Sequence, residues 1–285
     1  MVDIKDYGDF ETAWCPGCGN FMILKALKQA LAACGLAPHQ VLLVSGIGQA
    51  AKTPHYLKAN VFNGLHGRSL PVAIGARLAN TELTVIAESG DGCMYGEGGN
   101  HFLATLRRNL DITILVHDNQ IYGLTKGQAS PTTLRGHVTK SQPWGAPSAP
   151  FNPVETAVAL DAGFVARGFT GQGEHLADLI CQAIQYRGTA VVDIMQQCVS
   201  FNKVNTFSWY KERCYKLPDT YDPENRSLAL EKAAEFFEKI PLGVIYRNRQ
   251  KTVFEDQFAV IREQTLVDRT FDRQAYSDVV SSYEA

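Results

Sequence analysis

Apolar positions in this chain keep two alternating rhythms. Short unbroken runs predict strands buried on both faces: VLLVS from Val41, LTVIAES from Leu83, ITILVH from Ile112, FVAR from Phe164 and AVVDIM from Ala190. Between them, apolar residues recur at three- and four-residue intervals. That spacing predicts a helix over 20–33, with Phe21, Leu24, Leu27 and Leu31 on its apolar face. Further helices are predicted over 70–80, with Pro71 in the first turn, over 99–108, near Val154 and over 176–186. The alternation predicts an α/β fold, a doubly wound and mostly parallel sheet covered on both faces. Ligands in such sheets bind beyond the carboxyl ends of the strands, where the glycine turns Gly46–Gly48 and Gly90–Gly92 and residue Asn119 fall. The rhythm fades after residue 217. The segment 218–285 is mostly charged, with a helix near 228–239 and a short strand over 242–246. It reads as a peripheral extension that wraps the principal domain (1–217) or docks on a partner.

Composition narrows the picture only slightly. With 285 residues, 45% hydrophobic and 20% charged, the chain is ordinary for a globular protein with an ample core. A net charge of −2 gives no electrostatic case for nucleic acid or an acidic membrane surface. The opening MVDIKDYGDFET is unlike a secretory signal, and no apolar run approaches the roughly 20 residues that span a bilayer. Seven cysteines without an export signal point to reduced thiols or metal ligands, with the cytoplasm as the expected compartment.

The stretch from Gly90 to Lys126 carries the most chemistry. A strand ends in Gly-Asp-Gly, a helix and a second strand follow, and an Asp-Asn pair ends that strand. Gly-Asp-Gly alone is common in tight turns. In this order, however, Asp91 and Asn119 emerge at one edge of a parallel sheet. A carboxylate, an amide oxygen and a nearby backbone carbonyl are hard ligands of the kind Mg²⁺ takes alongside phosphate oxygens.

Several separated strings then coincide: WCPGCGN at Trp14, SGIG at Ser45, LHGRSLPVAIGARLAN at Leu65 and GDG…GGNHF at Gly90. RRNLDI, DNQIYGLTKGQASPT, FVARGF and QQCVSFNKVNTFSWY follow in order. Together they resemble the β subunit of 2-oxoacid:ferredoxin oxidoreductases, from the first cysteine to about Leu217. The YGLTKGQASPT loop is closer to the 2-oxoglutarate or broad 2-oxoacid members than to the pyruvate ones. The resemblance implies a thiamine diphosphate-binding fold. It also implies oxidative decarboxylation of a 2-oxoacid to acyl-coenzyme A and CO₂, with electrons passing through an iron–sulfur cluster to ferredoxin or flavodoxin. It assigns Mg²⁺ to Asp91, Asn119 and the carbonyl of Ile121, and a hydrogen bond to the diphosphate to His66. Ile47, Gly48, Gln49, Ala50, Gly92, Cys93, Gly123 and Leu124 would line the cofactor. By its place in the chain Lys126 falls at the same edge, either as a partner for a substrate carboxylate or as a solvated loop lysine. The family's α subunit supplies the glutamate that activates the cofactor, so the chain is expected to be catalytically incomplete alone.

One part of the pattern breaks. The family holds a [4Fe–4S] cluster with four cysteines. Cys15, Cys18 and Cys198 match, but the third position is Gln49, and the proline before the last cysteine is Gln197. Clusters want thiolates. Three outcomes stay open: compensation by Cys93 from the neighbouring strand, a three-cysteine cluster with a labile iron, or no cluster. The last leads to a different enzyme, a cluster-free decarboxylase or carboligase. A non-catalytic interaction subunit is the remaining alternative, against which the intact Asp91 and Asn119 weigh.

Overall fold

A computed structural model describes residues 2–283. The unbroken apolar runs form strands within about two residues of the expected bounds. In chain order the strands are β1 Val41–Ser45, β2 Asn60–Asn63, β3 Thr84–Gly90, β4 Thr113–Asp118, β5 Phe164–Phe169, β6 Ala190–Met195, β7 Cys214–Lys216 and β8 Ile240–Arg247. They make one sheet in the order β2-β1-β3-β4-β6-β5-β8-β7. All pairings are parallel except β5 with β8. The expected doubly wound, mostly parallel α/β sheet is therefore the fold.

The helices are α1 Asn20–Ala33, α2 Ser69–Ala79, α3 Gly99–Arg108, α4 Pro153–Ala159, α5 Gly173–Gln185, α6 Phe207–Arg213, α7 Arg226–Ala234, α8 Ala259–Glu263 and α9 Arg273–Ser282. Successive strand residues point to opposite faces, which divides the core in two. Leu43, Ile86, Leu115 and Val192 pack under α1 and α5, while Val44, Val85, Ile114 and Val191 pack under α2, α3, α4 and α7. In α1 the buried face is Ile23, Leu24, Leu27 and Leu31. Phe21, expected on that face, instead stands half-exposed and edge-on to Trp14 at 5.5 Å. It steadies the cysteine loop rather than the sheet.

The C-terminal extension also differs from expectation. β8 pairs antiparallel with β5, and Ile245, Tyr246, Ala229 and Ala233 join the core beneath α4. The segment expected to be peripheral from residue 218 thus completes the sheet as far as Arg247. The chain beyond is held by the Arg77–Glu255 ion pair at 2.7 Å and by Thr265, whose hydroxyl donates to the Ala79 carbonyl at 3.0 Å. Past Ala259 most side chains are exposed, including Tyr276, Val279 and Val280 on α9. Among the described residues no helix is long and apolar enough to cross a membrane.

These placements predict unequal costs. Ile245→Ala removes a fully buried side chain and is expected to lower unfolding stability by roughly 2–5 kcal/mol. Val279→Ala is expected to change it by less than about 0.5 kcal/mol. Urea denaturation of the two variants checks both, and equal costs would refute the placement of β8.

Candidate active site

The chain leaves β1 toward β2 and leaves β3 toward β4, in opposite directions. Such a switch point opens a crevice beyond the carboxyl ends of the strands. A cleft lies there. Ile47, Gly48, Gln49 and Ala50 enter it after β1, and Asp91, Gly92 and Cys93 enter it after β3. Asn119, Ile121, Gly123 and Leu124 follow from β4, with His66 on the remaining wall. Every residue expected to line the cofactor is in this one cleft. Lys126 is not among its walls: it lies exposed at a turn whose backbone is left-handed (φ 76°), next to Thr125, which does line the cleft.

Local geometry explains how Asp91 is presented. It begins a π-helical turn, Gly92–Glu97, before α3 continues the chain. Such i→i+5 turns recur at functional sites because they turn side chains away from the regular helical spacing. Gly92 is required by the close approach of Tyr122, whose ring would stand 2.2 Å from any Cβ there. Cys93 Sγ accepts the backbone N–H of Gly67 at 3.1 Å and of Ile47 at 3.4 Å. The thiol therefore braces the Gly46–Gly48 turn from below. It takes no part in the walls of an adjoining cleft that gathers three other cysteines.

Beneath the first cleft lies a buried polar network that sequence reasoning missed. Thr132 Oγ1 stands 2.8 Å from Asp91 Oδ2 and 2.8 Å from Asp118 Oδ1. A hydroxyl has one proton, so only one carboxylate receives it. Burial pushes the Asp91 carboxyl up to about 6. Burial, and then the neighbouring Asp193 and Asp91, holds Asp118 well above the usual carboxylate range. A protonated Asp118 donating to Thr132, which in turn donates to Asp91, orders the two contacts and leaves Asp91 the charged one, while Asp118 Oδ2 has no protein partner. Farther in, Asp193 is pushed up to about 6 by burial and accepts the Tyr95 hydroxyl at 2.8 Å. Arg167 Nε lies 3.8 Å from Asp193 Oδ2. Asp118 was visible as half of the Asp-Asn pair, and Thr132 ends the YGLTKGQASPT loop; neither carried a signal of its role.

Asn119 Oδ1 accepts the Ile121 N–H at 3.0 Å, which fixes the amide and leaves a second lone pair. With the Asp91 carboxylate and the Ile121 carbonyl, this is a hard-oxygen set that fits Mg²⁺. The adjoining cleft is lined by Cys15, Cys18, Cys198 and Gln49, among others. Gln49, Asn119 and Gly123 are walls of both. Burial pushes the Cys18 thiol up to about 11, and Cys198 and Cys15 lie close enough to add to the rise. Cys15 Sγ accepts the Ser200 hydroxyl at 3.1 Å. Among the described residues no three His, Cys, Asp or Glu side chains are arranged around a single ion.

Comparison with known proteins agrees with this geometry. Residues 39–194 match the C-terminal TPP binding domain of thiamine pyrophosphate enzymes, and 198–263 match the C-terminal region of the pyruvate ferredoxin oxidoreductase β chain. The β subunit of 2-oxoacid:ferredoxin oxidoreductase 1 from Aeropyrum pernix is 44% identical over 257 residues, covering 86% of this chain and 81% of that one. Its counterpart from Saccharolobus solfataricus is 42% identical over 259 residues, covering 86% and 85%. The chain belongs to the 2-oxoacid:ferredoxin oxidoreductase β subunits. A solved member of this group, 2-oxoglutarate:ferredoxin oxidoreductase from Magnetococcus marinus with 2-oxoglutarate, coenzyme A and succinyl-CoA bound, superimposes with a TM-score of 0.91. It is 33% identical, and the match covers 98% of this chain and 96% of that one. In a β subunit of this family the first cleft is where the thiamine-binding match lies, while Cys198 opens the second match.

Gly92→Ala is expected to weaken thiamine diphosphate binding by about fivefold or more, because overpacking against Tyr122 costs about 1–3 kcal/mol. Calorimetric titration checks this, and affinity within about twofold of wild type would refute the close approach.

Proposed function

We propose that this chain is the thiamine diphosphate- and cluster-bearing subunit of an enzyme that converts a 2-oxoacid and coenzyme A to acyl-coenzyme A and CO₂. The electrons go to ferredoxin or flavodoxin. The observation that carries the reading is the shared wall: the cofactor cleft and the cysteine cleft meet at Gln49, Asn119 and Gly123. An oxidation needs such a neighbour, and a cluster-free decarboxylase has no use for one.

Bound thiamine diphosphate supplies the carbon nucleophile for a 2-oxoacid carbonyl. The chain's own residues hold and orient it. Asp91, Asn119 and the Ile121 carbonyl take Mg²⁺, with Thr132 fixing the Asp91 carboxylate. His66 donates to the diphosphate. Lys126, at the rim, offers a cation to the substrate carboxylate. Cys15, Cys18 and Cys198 suit a cluster better than a single ion, since a cluster spreads its thiolates over separate irons. The exposed apolar side chains of α9 are surface for the α subunit, which completes the site.

Anaerobic co-purification with the α subunit, followed by ferredoxin reduction assays, tests the reading. Reduction is expected to require a 2-oxoacid, 2-oxoglutarate first, and coenzyme A. CO₂ release without electron transfer would instead indicate the cluster-free enzyme. Asp91→Ala is expected to weaken Mg²⁺-dependent cofactor binding more than about 100-fold, beyond the effect typical of an outer-shell partner. The pH dependence has a defined sign. Protons and Mg²⁺ compete for Asp91, whose carboxyl sits at about 6, so apparent Mg²⁺ affinity is level above that pH. Below it, affinity falls by up to about tenfold per unit. Titration across that value, from acidic to neutral pH, reads it, and a flat profile would refute the buried carboxylate as the ligand.

A further inference from the structure

Gln49 occupies a wall that three cysteines share, and its side chain is not idle there. Gln49 Oε1 is buried without a hydrogen-bond partner. Its backbone is fixed, since the Gln49 carbonyl accepts the Trp14 indole N–H at 2.8 Å. Trp14 is itself wedged edge-on between Phe21 at 5.5 Å and Tyr56 at 4.7 Å. A second unsatisfied atom belongs to a residue of the same cleft. Asn20 is 1% exposed, its Oδ1 faces His117 Nδ1 at 2.9 Å, and its Nδ2 has no acceptor.

Leaving such groups unpaired is costly, about 1–3 kcal/mol each. The two atoms are of opposite kinds. An amide oxygen without a donor, beside three thiols, matches an electron-poor metal. An amide N–H without an acceptor matches an anionic sulfur. Cys93 is excluded from this set because its sulfur is held beneath the Gly46–Gly48 turn and lines only the other cleft.

We propose that Gln49 Oε1 is the fourth ligand of the cluster, an oxygen donor completing three thiolates, and that Asn20 Nδ2 donates to a cluster sulfur. This rests on the oxidoreductase reading above. A neutral amide in place of a thiolate makes the cluster less negative by one charge, which raises its reduction potential. It also leaves one iron less firmly held than the other three.

The test uses the anaerobically purified αβ complex and its Gln49→Ala and Gln49→Cys variants, with thermal unfolding as the folding control. Iron and sulfide per β chain, electron paramagnetic resonance of the oxidised protein, and the cluster's reduction potential are read, independently of activity. Iron and sulfide bound by the α subunit, if any, are subtracted using α subunit alone. Wild type is expected to hold about four irons, Gln49→Ala about three with the oxidised three-iron signal, and Gln49→Cys about four at a lower potential. An unchanged iron count and potential in Gln49→Ala would overturn the ligand assignment and leave the oxidoreductase reading standing. So would three irons in both wild type and Gln49→Ala, which marks an open corner. A wild type without iron that still binds thiamine diphosphate would overturn the oxidoreductase reading itself.

Discussion

Asp91 is a carboxylate removed from water, and much of the surrounding structure answers that fact. An uncompensated buried charge is neutralised by taking a proton or by finding a partner. Here the partner on the protein side is a hydroxyl, Thr132, itself set against Asp118. The network continues through Asp193 to Arg167, so that residues at the ends or in the middle of β3, β4, β6 and β5 share one electrostatic arrangement. Three acids meet one guanidinium among them. The deficit of positive charge is greatest at the cleft, where a divalent cation with its diphosphate would enter. The burial that makes Asp91 hard to ionise in the free chain is thus the same burial that strengthens its hold on a metal once ionised.

How much of this was legible in the sequence follows from which forces are local. Strands β1, β3, β4, β5 and β6 were readable because a strand covered on both faces must be apolar throughout. The cleft residues were readable because they sit where those strands end. The π-turn at Gly92–Glu97 was not, since apolar spacing is read against a 3.6-residue period and this turn departs from it. Thr132 reaches Asp91 across 41 positions of chain, a distance at which spacing says nothing. β8 was misplaced for another reason. IPLGVIYR stands in a charged tail that read as peripheral, yet antiparallel pairing with β5 and parallel pairing with β7 bury it within the sheet. Compensation by Cys93 from the neighbouring strand was one of three open outcomes; its sulfur instead accepts the N–H groups of Ile47 and Gly67 beneath the turn.

Two clefts with a common wall make a constraint on the residues of that wall. Gln49, Asn119 and Gly123 each face both sides. Asn119 has its side-chain oxygen fixed by the Ile121 N–H and its backbone carbonyl held by Asn202 at 3.1 Å. Gly123 has no side chain to obstruct either volume, and a Cβ there would stand in ordinary contact with Cys198 Sγ at 3.8 Å. At these three positions a single residue separates the two clefts.

That closeness also explains why a glutamine is a consequential substitution at position 49. A shorter apolar residue would open the wall, while an acid would set another negative charge near Asp91, Asp118 and Asp193. Glutamine keeps the bulk and adds no charge. Its side-chain oxygen is the atom able to serve a metal, and the Trp14 hydrogen bond fixes the backbone from which it extends. The same position therefore borders both clefts: added negative charge would disturb the carboxylates of one, and a weaker donor would loosen the cluster proposed for the other. Under the proposed ligation, a neutral oxygen donor is the compromise that answers to both.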